Sequence, residues 1–132
     1  MGQLHQHNIA IEASDIDFMG HVNNANYLHY LEHARHEYLI DKGINFSKLH
    51  DEGIDLIVTK VEISYRFPLR SLDKFVIHTH VIRDGNVKLI FIQKILRMHD
   101  EKLIAEAKVT GIASRNSKPV RPGNIIKQLG FE

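Results

Sequence analysis

The chain has 132 residues, enough for one domain with a substantial core. Hydrophobic residues make up 43% and charged residues 25%, which excludes a disordered or low-complexity chain. Lys+Arg number 17 against 16 Asp+Glu, a charge of +1 with His neutral, without the basic excess that nucleic-acid binding demands, so no nucleic-acid partner is expected.

Cysteine is absent, which excludes disulfides, a Cys nucleophile and thiolate metal sites, and fits a reducing compartment. No apolar run approaches the ~18 residues of a membrane span. The opening residues lack the apolar centre of a signal peptide, and Gln6 breaks the myristoylation pattern after Met-Gly. A soluble cytoplasmic protein without a membrane partner is expected.

Residues 4–13 alternate loosely and read as a strand. Residues 14–26 are polar and rich in turn formers. Tyr27, Leu31, Ala34 and Tyr38 then recur at helical spacing, with Leu28, Tyr30 and Leu39 beside them. Asn23 or Asn24 is the expected N-cap, and Gly43 the left-handed end. A short helical turn follows Ser47 and stops at Gly53. Residues 54–67, rich in β-branched side chains, read as a strand closed by Pro68. Residues 74–83 and 87–98 flank Asp84-Gly85-Asn86, a hairpin turn signal, and 102–115 form another strand. The tail, with Pro119, Pro122 and Gly123, reads as a loop with room for a last short helix.

The order strand, helix, then a meander of about four strands predicts an α+β fold with the helix packed on an antiparallel sheet. Val76, Ile77, Val81 and Ile82, and Leu89 through Ile92, are apolar at both parities. A sheet covered on both faces accounts for that pattern. One helix covers one face, so self-association is the simplest cover for the other.

The stretch Asp15-Ile16-Asp17-Phe18-Met19-Gly20-His21-Val22-Asn23-Asn24-Ala25-Asn26-Tyr27 places two carboxylates, a His and three Asn directly before a helix. The first amides of a helix lack internal partners and carry partial positive charge. A carboxylate beside such amides is half of an acyl-transfer site: it attacks or activates water while the amides hold the oxyanion. A thioester suits this economy, because a thiol with a pKa of ~8.5 departs with little acid help. The same residues also serve as turn caps, and the pattern alone leaves both readings open.

This stretch resembles the signature of the 4-hydroxybenzoyl-CoA thioesterase branch of the hotdog-fold superfamily, an Asp-x-Asp-x-x-Gly-His/Val-Val-x-x-x-x-Tyr run leading into a long central helix. Asp15, Asp17, Gly20, His21, Val22 and Tyr27 stand in register. Ser64-Tyr65-Arg66-Phe67-Pro68-Leu69-Arg70 with Asp73, and Lys118-Pro119-Val120-Arg121-Pro122, resemble further family segments, so the likeness covers essentially the whole chain.

The resemblance implies one hotdog domain over residues 1–132, a long helix wrapped by about five antiparallel strands, pairing into a homodimer or homotetramer with active sites at the interface. It implies hydrolysis of an acyl-CoA thioester without a cofactor. Asp17 takes the position of the catalytic carboxylate, as nucleophile or general base. The backbone N–H near Asn24 takes that of the oxyanion donor, and Asp15 is structural. His21-Val22-Asn23-Asn24-x-x-Tyr27 also resembles plant acyl-carrier-protein thioesterases. Met19 stands where those have an Asn, which departs from their three-residue arrangement and leaves two readings of His21 open, a contact to substrate or water and a turn His bonded to backbone; Asn23 is assigned to substrate binding.

Other residues are weighed beside these. Phe18, Met19 and Tyr27 are expected to line an acyl pocket, with core packing the simpler role for Tyr27. Arg66, Arg70, Arg83, Lys88 and Arg97 are possible partners for coenzyme A phosphates, with Arg83 and Lys88, astride the Asp84–Asn86 turn, preferred. His29, His33 and His36 share a helix face at spacings of four and three. Nothing completes a zinc motif, and a solvated polar face is the expected reading, so no metal is assigned. The run His78-Thr79-His80 alternates along a strand, and its histidines are expected on opposite faces. An acyl-carrier-protein thioesterase and a non-catalytic acyl-CoA-binding protein are the alternative functions.

Overall fold

The spacing Tyr27, Tyr30, Leu31, Ala34, Tyr38, Leu39 becomes the buried stripe of helix α1, Asn24–Asp41. Leu28, beside the stripe, is largely exposed. The helix starts at Asn23, whose side-chain oxygen accepts the Ala25 N–H at 3.1 Å. It ends where Gly43 adopts φ +86° and the Ile44 N–H returns to the Leu39 carbonyl. That left-handed closure strongly favours glycine. The computed structural model describes residues 5–9, 11, 15–17, 19–121 and 123–130.

Around α1 lie β1 (His5–Ile9), α2 (Phe46–Asp51), β2 (Ile54–Tyr65), β3 (Phe75–Asp84), β4 (Lys88–Arg97), β5 (Leu103–Arg115), β6 (Lys118–Val120) and α3 (Gly123–Gln128). The short helix α2 is capped two residues earlier than expected. Asn45, not Ser47, accepts the Lys48 N–H.

The strands form one antiparallel sheet in the order β1-β3-β4-β5-β2, with β6 added to β5. The meander therefore holds for β3, β4 and β5 but not for β2, which pairs with β5 from Ile54↔Arg115 to Tyr65↔Ala105. Consecutive strands pair only about two-thirds of the time. The connection 66–74 is too long for a tight hairpin and runs instead across the start of α1. The sequence predicts a loop at strand β6 because Pro119 argues against a strand. The strand takes the place that β4 leaves free: β4 pairs with β5 only as far as Ile112, and β6 pairs with Ala113–Arg115. A short edge position tolerates the Pro119 that an interior one would not.

The inner face carries Phe75, Ile77 and Val81 of β3, Leu89, Phe91 and Ile95 of β4, and Ala105, Ala107 and Val109 of β5. These pack with the α1 stripe into one cluster. Within it Tyr30 meets Phe75 and Tyr38 meets Phe91. The opposite face is only half covered within one chain: Val76, His78 and His80 are partly buried and Ile82 is exposed. His78 and His80 share that face, because a period of two returns them to the same side. This corrects the expectation of opposite faces. Among the described residues no helix is long and apolar enough to cross a membrane.

Candidate active site

Asp17 sits in a tight turn before α1. Its N–H donates to the His21 carbonyl at 2.7 Å, and its own carbonyl accepts the Gly20 N–H at 3.0 Å. Gly20 has φ +77°, so the signature glycine is the residue that lets this turn close. The Asp17 carboxylate is half-buried. Its Oδ1 accepts the Met19 N–H at 2.9 Å and the His21 N–H at 3.1 Å. Among the described residues its Oδ2 has no hydrogen-bond partner. One oxygen thus fixes the group while the other remains available.

The amides that follow are nearly all occupied. The Val22 N–H donates to the Leu69 carbonyl at 2.8 Å, the Asn23 N–H to the Asp15 carbonyl at 2.8 Å, and the Asn26 N–H to the Asn23 carbonyl at 2.9 Å. The Ala25 N–H goes to the Asn23 side chain. Asn24, the first residue of the helix, keeps its N–H unpaired among the described residues. It is one of the orphan donors at a helix start, where the dipole favours negative charge.

The other Asp of the pair is built into the scaffold. Asp15 accepts the Tyr30 hydroxyl at 2.7 Å through Oδ2, and its carbonyl accepts the Asn26 side chain as well as the Asn23 N–H. On the other side, the Phe67–Arg70 segment buttresses the same loop. His21 and Arg70 form an isolated β-bridge, and the Leu69 N–H donates to the buried Tyr27 phenol oxygen at 2.9 Å. Asp73 accepts the Arg70 N–H at 2.8 Å. The Pro-Leu-Arg stretch singled out in the sequence is therefore the support of the loop before α1.

Tyr27 is 2% exposed and lies against Tyr65 at 5.4 Å between ring centroids. Burial pushes its phenol above the ordinary value. Met19 is 60% exposed, and Phe18 lies outside the described residues. His21 is half-buried, with its backbone in the turn and its imidazole without a hydrogen-bond partner among the described residues.

Three of the five possible phosphate partners are engaged elsewhere. Arg66 pairs with Glu106 at 2.7 Å, Arg97 lies between Asp73 and Asp100, and Arg83 donates to the Gly85 carbonyl and the Asn86 side chain of its own turn. Arg70 and Lys88 are exposed. His29, His33 and His36 are exposed on α1, and His36 stacks on Phe46. Among the described residues no group of three or more His, Cys, Asp or Glu is placed to hold a metal.

The sequence reading missed a polar cluster under the middle of α1. Gln93, fully buried on the inner face, donates from Nε2 to the Leu31 carbonyl at 3.0 Å and to the Thr79 hydroxyl at 3.1 Å. Its Oε1 accepts the Arg35 guanidinium at 3.0 Å. The signal was present: Gln93 stands at a core parity in Leu-Ile-Phe-Ile-Gln-Lys-Ile-Leu. Arg35 lines a cavity of about 770 Å3 between α1, α2 and the inner face of β2.

A family model described as "Thioesterase-like superfamily" matches residues 11–122. The chain is 31% identical to the acyl-acyl carrier protein thioesterase ATL2 of Arabidopsis thaliana over 98% of its length and 70% of that protein's. It is 29% identical to the long-chain acyl-CoA thioesterase FadM of Escherichia coli over 80% of this chain and 79% of FadM. Among solved structures, a Staphylococcus aureus protein in complex with CoA superposes with a TM-score of 0.88 at 16% identity, covering 97% of this chain and 82% of that one. The helix-on-sheet fold and the matched residues agree: the chain belongs to the thioesterase-like superfamily and is a hotdog-fold thioester hydrolase.

Proposed function

We propose that the chain hydrolyses an acyl-CoA thioester to a free carboxylic acid and coenzyme A, with Asp17 as the catalytic carboxylate. The observation that carries this reading is the pairing of two available groups on one short loop. Asp17 has one carboxylate oxygen fixed by amides and one without a partner among the described residues. Asn24 has the amide left over when its neighbours' hydrogen bonds are satisfied. Asp17 Oδ2 attacks the thioester carbon, or draws a proton from the water that does. The oxyanion is held by the Asn24 N–H. Coenzyme A then leaves as thiolate, and on the nucleophile route water hydrolyses the acyl–Asp17 anhydride to release the acid and restore the carboxylate. His21 and Asn23, on the same loop, contact the substrate or the water, and Tyr27 backs the acyl group from the core.

Lys88 and Arg70 are exposed cations available to the phosphates, with Arg83 shaping the turn beside Lys88. The site is completed by a second copy in a homodimer or homotetramer. Strand β2 is a free sheet edge whose Ile57, Val58, Val61 and Tyr65 are 42–47% exposed, a combination that calls for a partner strand. The absence of cysteine fits a cytoplasmic enzyme.

The test is thiol release from a panel of acyl-CoAs by wild type and Asp17→Asn. The chain has no cysteine, so a thiol-reactive dye sees only released coenzyme A. Wild-type turnover falling about 100-fold or more in the variant is the expected result. Turnover unaffected by the substitution would remove Asp17 from the mechanism. The ATL2 similarity supports a second reading, hydrolysis of acyl-[acyl carrier protein]. Matched CoA and carrier thioesters in the same assay separate the two.

A further inference from the structure

The cavity beside Arg35 is walled by apolar side chains, among them Leu39, Phe46, Leu56, Leu89 and Phe91, with the carboxylates Glu32, Asp51 and Asp55 on its lining as well. At about 770 Å3 it has the size of a small-molecule site. Beside the apolar part of this lining stands the half-buried guanidinium of Arg35. Burial holds it below its ordinary pKa, with Glu32 acting against that only through space. Its hydrogen-bond partner is the neutral amide of Gln93. Among the described residues no carboxylate lies within ion-pairing distance of it.

A cation held partly out of water is ordinarily paired with an anion. Gln93 cannot supply that charge. It is itself locked by Leu31 and Thr79, and it serves to aim the guanidinium. An Arg presents five donors in a planar fork, matched to a carboxylate. Arg35 lies 11 residues along α1 from Asn24, about 16 Å down the helix axis, so it stands well away from the reacting carbonyl.

We infer that this cavity is the acyl subsite and that Arg35 recognises a carboxylate at the far end of the acyl group, making ω-carboxyacyl thioesters the preferred substrates. The apolar walls hold the methylene chain, and the guanidinium forms a bidentate pair with the terminal carboxylate. This inference rests on the thioesterase reading for its turnover test but not for its binding test.

Matched pairs of alkanoyl-CoA and ω-carboxyalkanoyl-CoA, from hexanoyl to hexadecanoyl, are compared by kcat/KM. Wild type is expected to favour the ω-carboxy member about 10- to 100-fold at the best length. Arg35→Met reduces that ratio to about one, and Arg35→Lys leaves an intermediate value, because an ammonium cannot form the fork. Equal turnover of both members by wild type at every length, or a ratio unmoved by Arg35→Met, overturns the inference and leaves the thioesterase standing.

Binding of the same intact pairs is measured by calorimetry on Asp17→Asn, with and without Arg35→Met, and on wild type if it cleaves none of them. A preference for the ω-carboxy member that Arg35→Met removes upholds the subsite even if Asp17 chemistry fails. If Arg35→Met instead dissociates the oligomer and no variant distinguishes the pairs, the guanidinium serves a second copy of the chain and the inference is refuted.

Discussion

Tyr27→Phe separates two roles for one residue: a clamp that holds the site together, or a wall that touches the acyl group. The phenol oxygen accepts the Leu69 N–H at 2.9 Å, and Leu69 is fully buried. Phenylalanine keeps the ring contacts with Tyr65 and Tyr30 but leaves that amide without its acceptor. A buried, unpaired N–H costs about 1–3 kcal/mol. At about 2.1 cal/mol/K per residue, 132 residues unfold with an entropy near 0.28 kcal/mol/K. The variant should therefore melt about 4–11 °C below wild type in a calorimetric scan. The Leu69 carbonyl also holds the Val22 N–H, so the loop carrying Asp17 loses part of its support. That loss should lower kcat more than it raises KM. A melting temperature within about 2 °C of wild type, together with a raised KM at constant kcat, would refute the clamp and return Tyr27 to the pocket wall.

Gly20→Ala tests the turn itself. An added Cβ at Gly20 meets nothing within 4 Å, so its cost is the backbone penalty of φ +77°, about 1–2 kcal/mol. Turnover should fall by more than the small change in melting temperature suggests, and full activity would show that the turn conformation is not needed. At alkaline pH the buried phenols dominate. Burial raises both Tyr27 and Tyr38 above the ordinary 10.0, so the folded state holds their protons longer than the unfolded state does. Their contribution is intact below about pH 10 and is lost as pH rises through the folded values. Urea midpoints of wild type should drop above pH 10, and Tyr38→Phe should flatten that decline. Parallel curves would refute the assignment.

Much of the fold was legible because period and punctuation agreed. The Tyr27–Leu39 stripe, Gly43 and the Asp84-Gly85-Asn86 turn each have one local solution, and the structure adopts them. The Asp-x-Asp-x-x-Gly-His motif was legible through its resemblance to a known signature, since the residue pattern alone left a catalytic loop and a capped turn both open. Its hydrogen bonds run between neighbours, from Asp17 to Met19, Gly20 and His21, so the segment largely specifies its own shape. Even the fully buried Gln93 had a local trace, a polar residue at an apolar parity, although its partners Leu31, Arg35 and Thr79 come from distant parts of the chain.

What the sequence determined by itself is local: which segments are helix or strand, and that a carboxylate precedes a helix start. Tertiary structure alone decided which strand edges meet. β2 pairs with β5 rather than with its neighbour β3, because the 66–74 connection is used to brace the loop before α1. It also decided which carboxylate is available. Asp15 and Asp17 are two residues apart and chemically identical, yet Tyr30 engages one while the other retains an oxygen without a partner among the described residues. Residue types and spacings limit what a side chain can do, and the neighbours that folding brings to it determine which of those options remain.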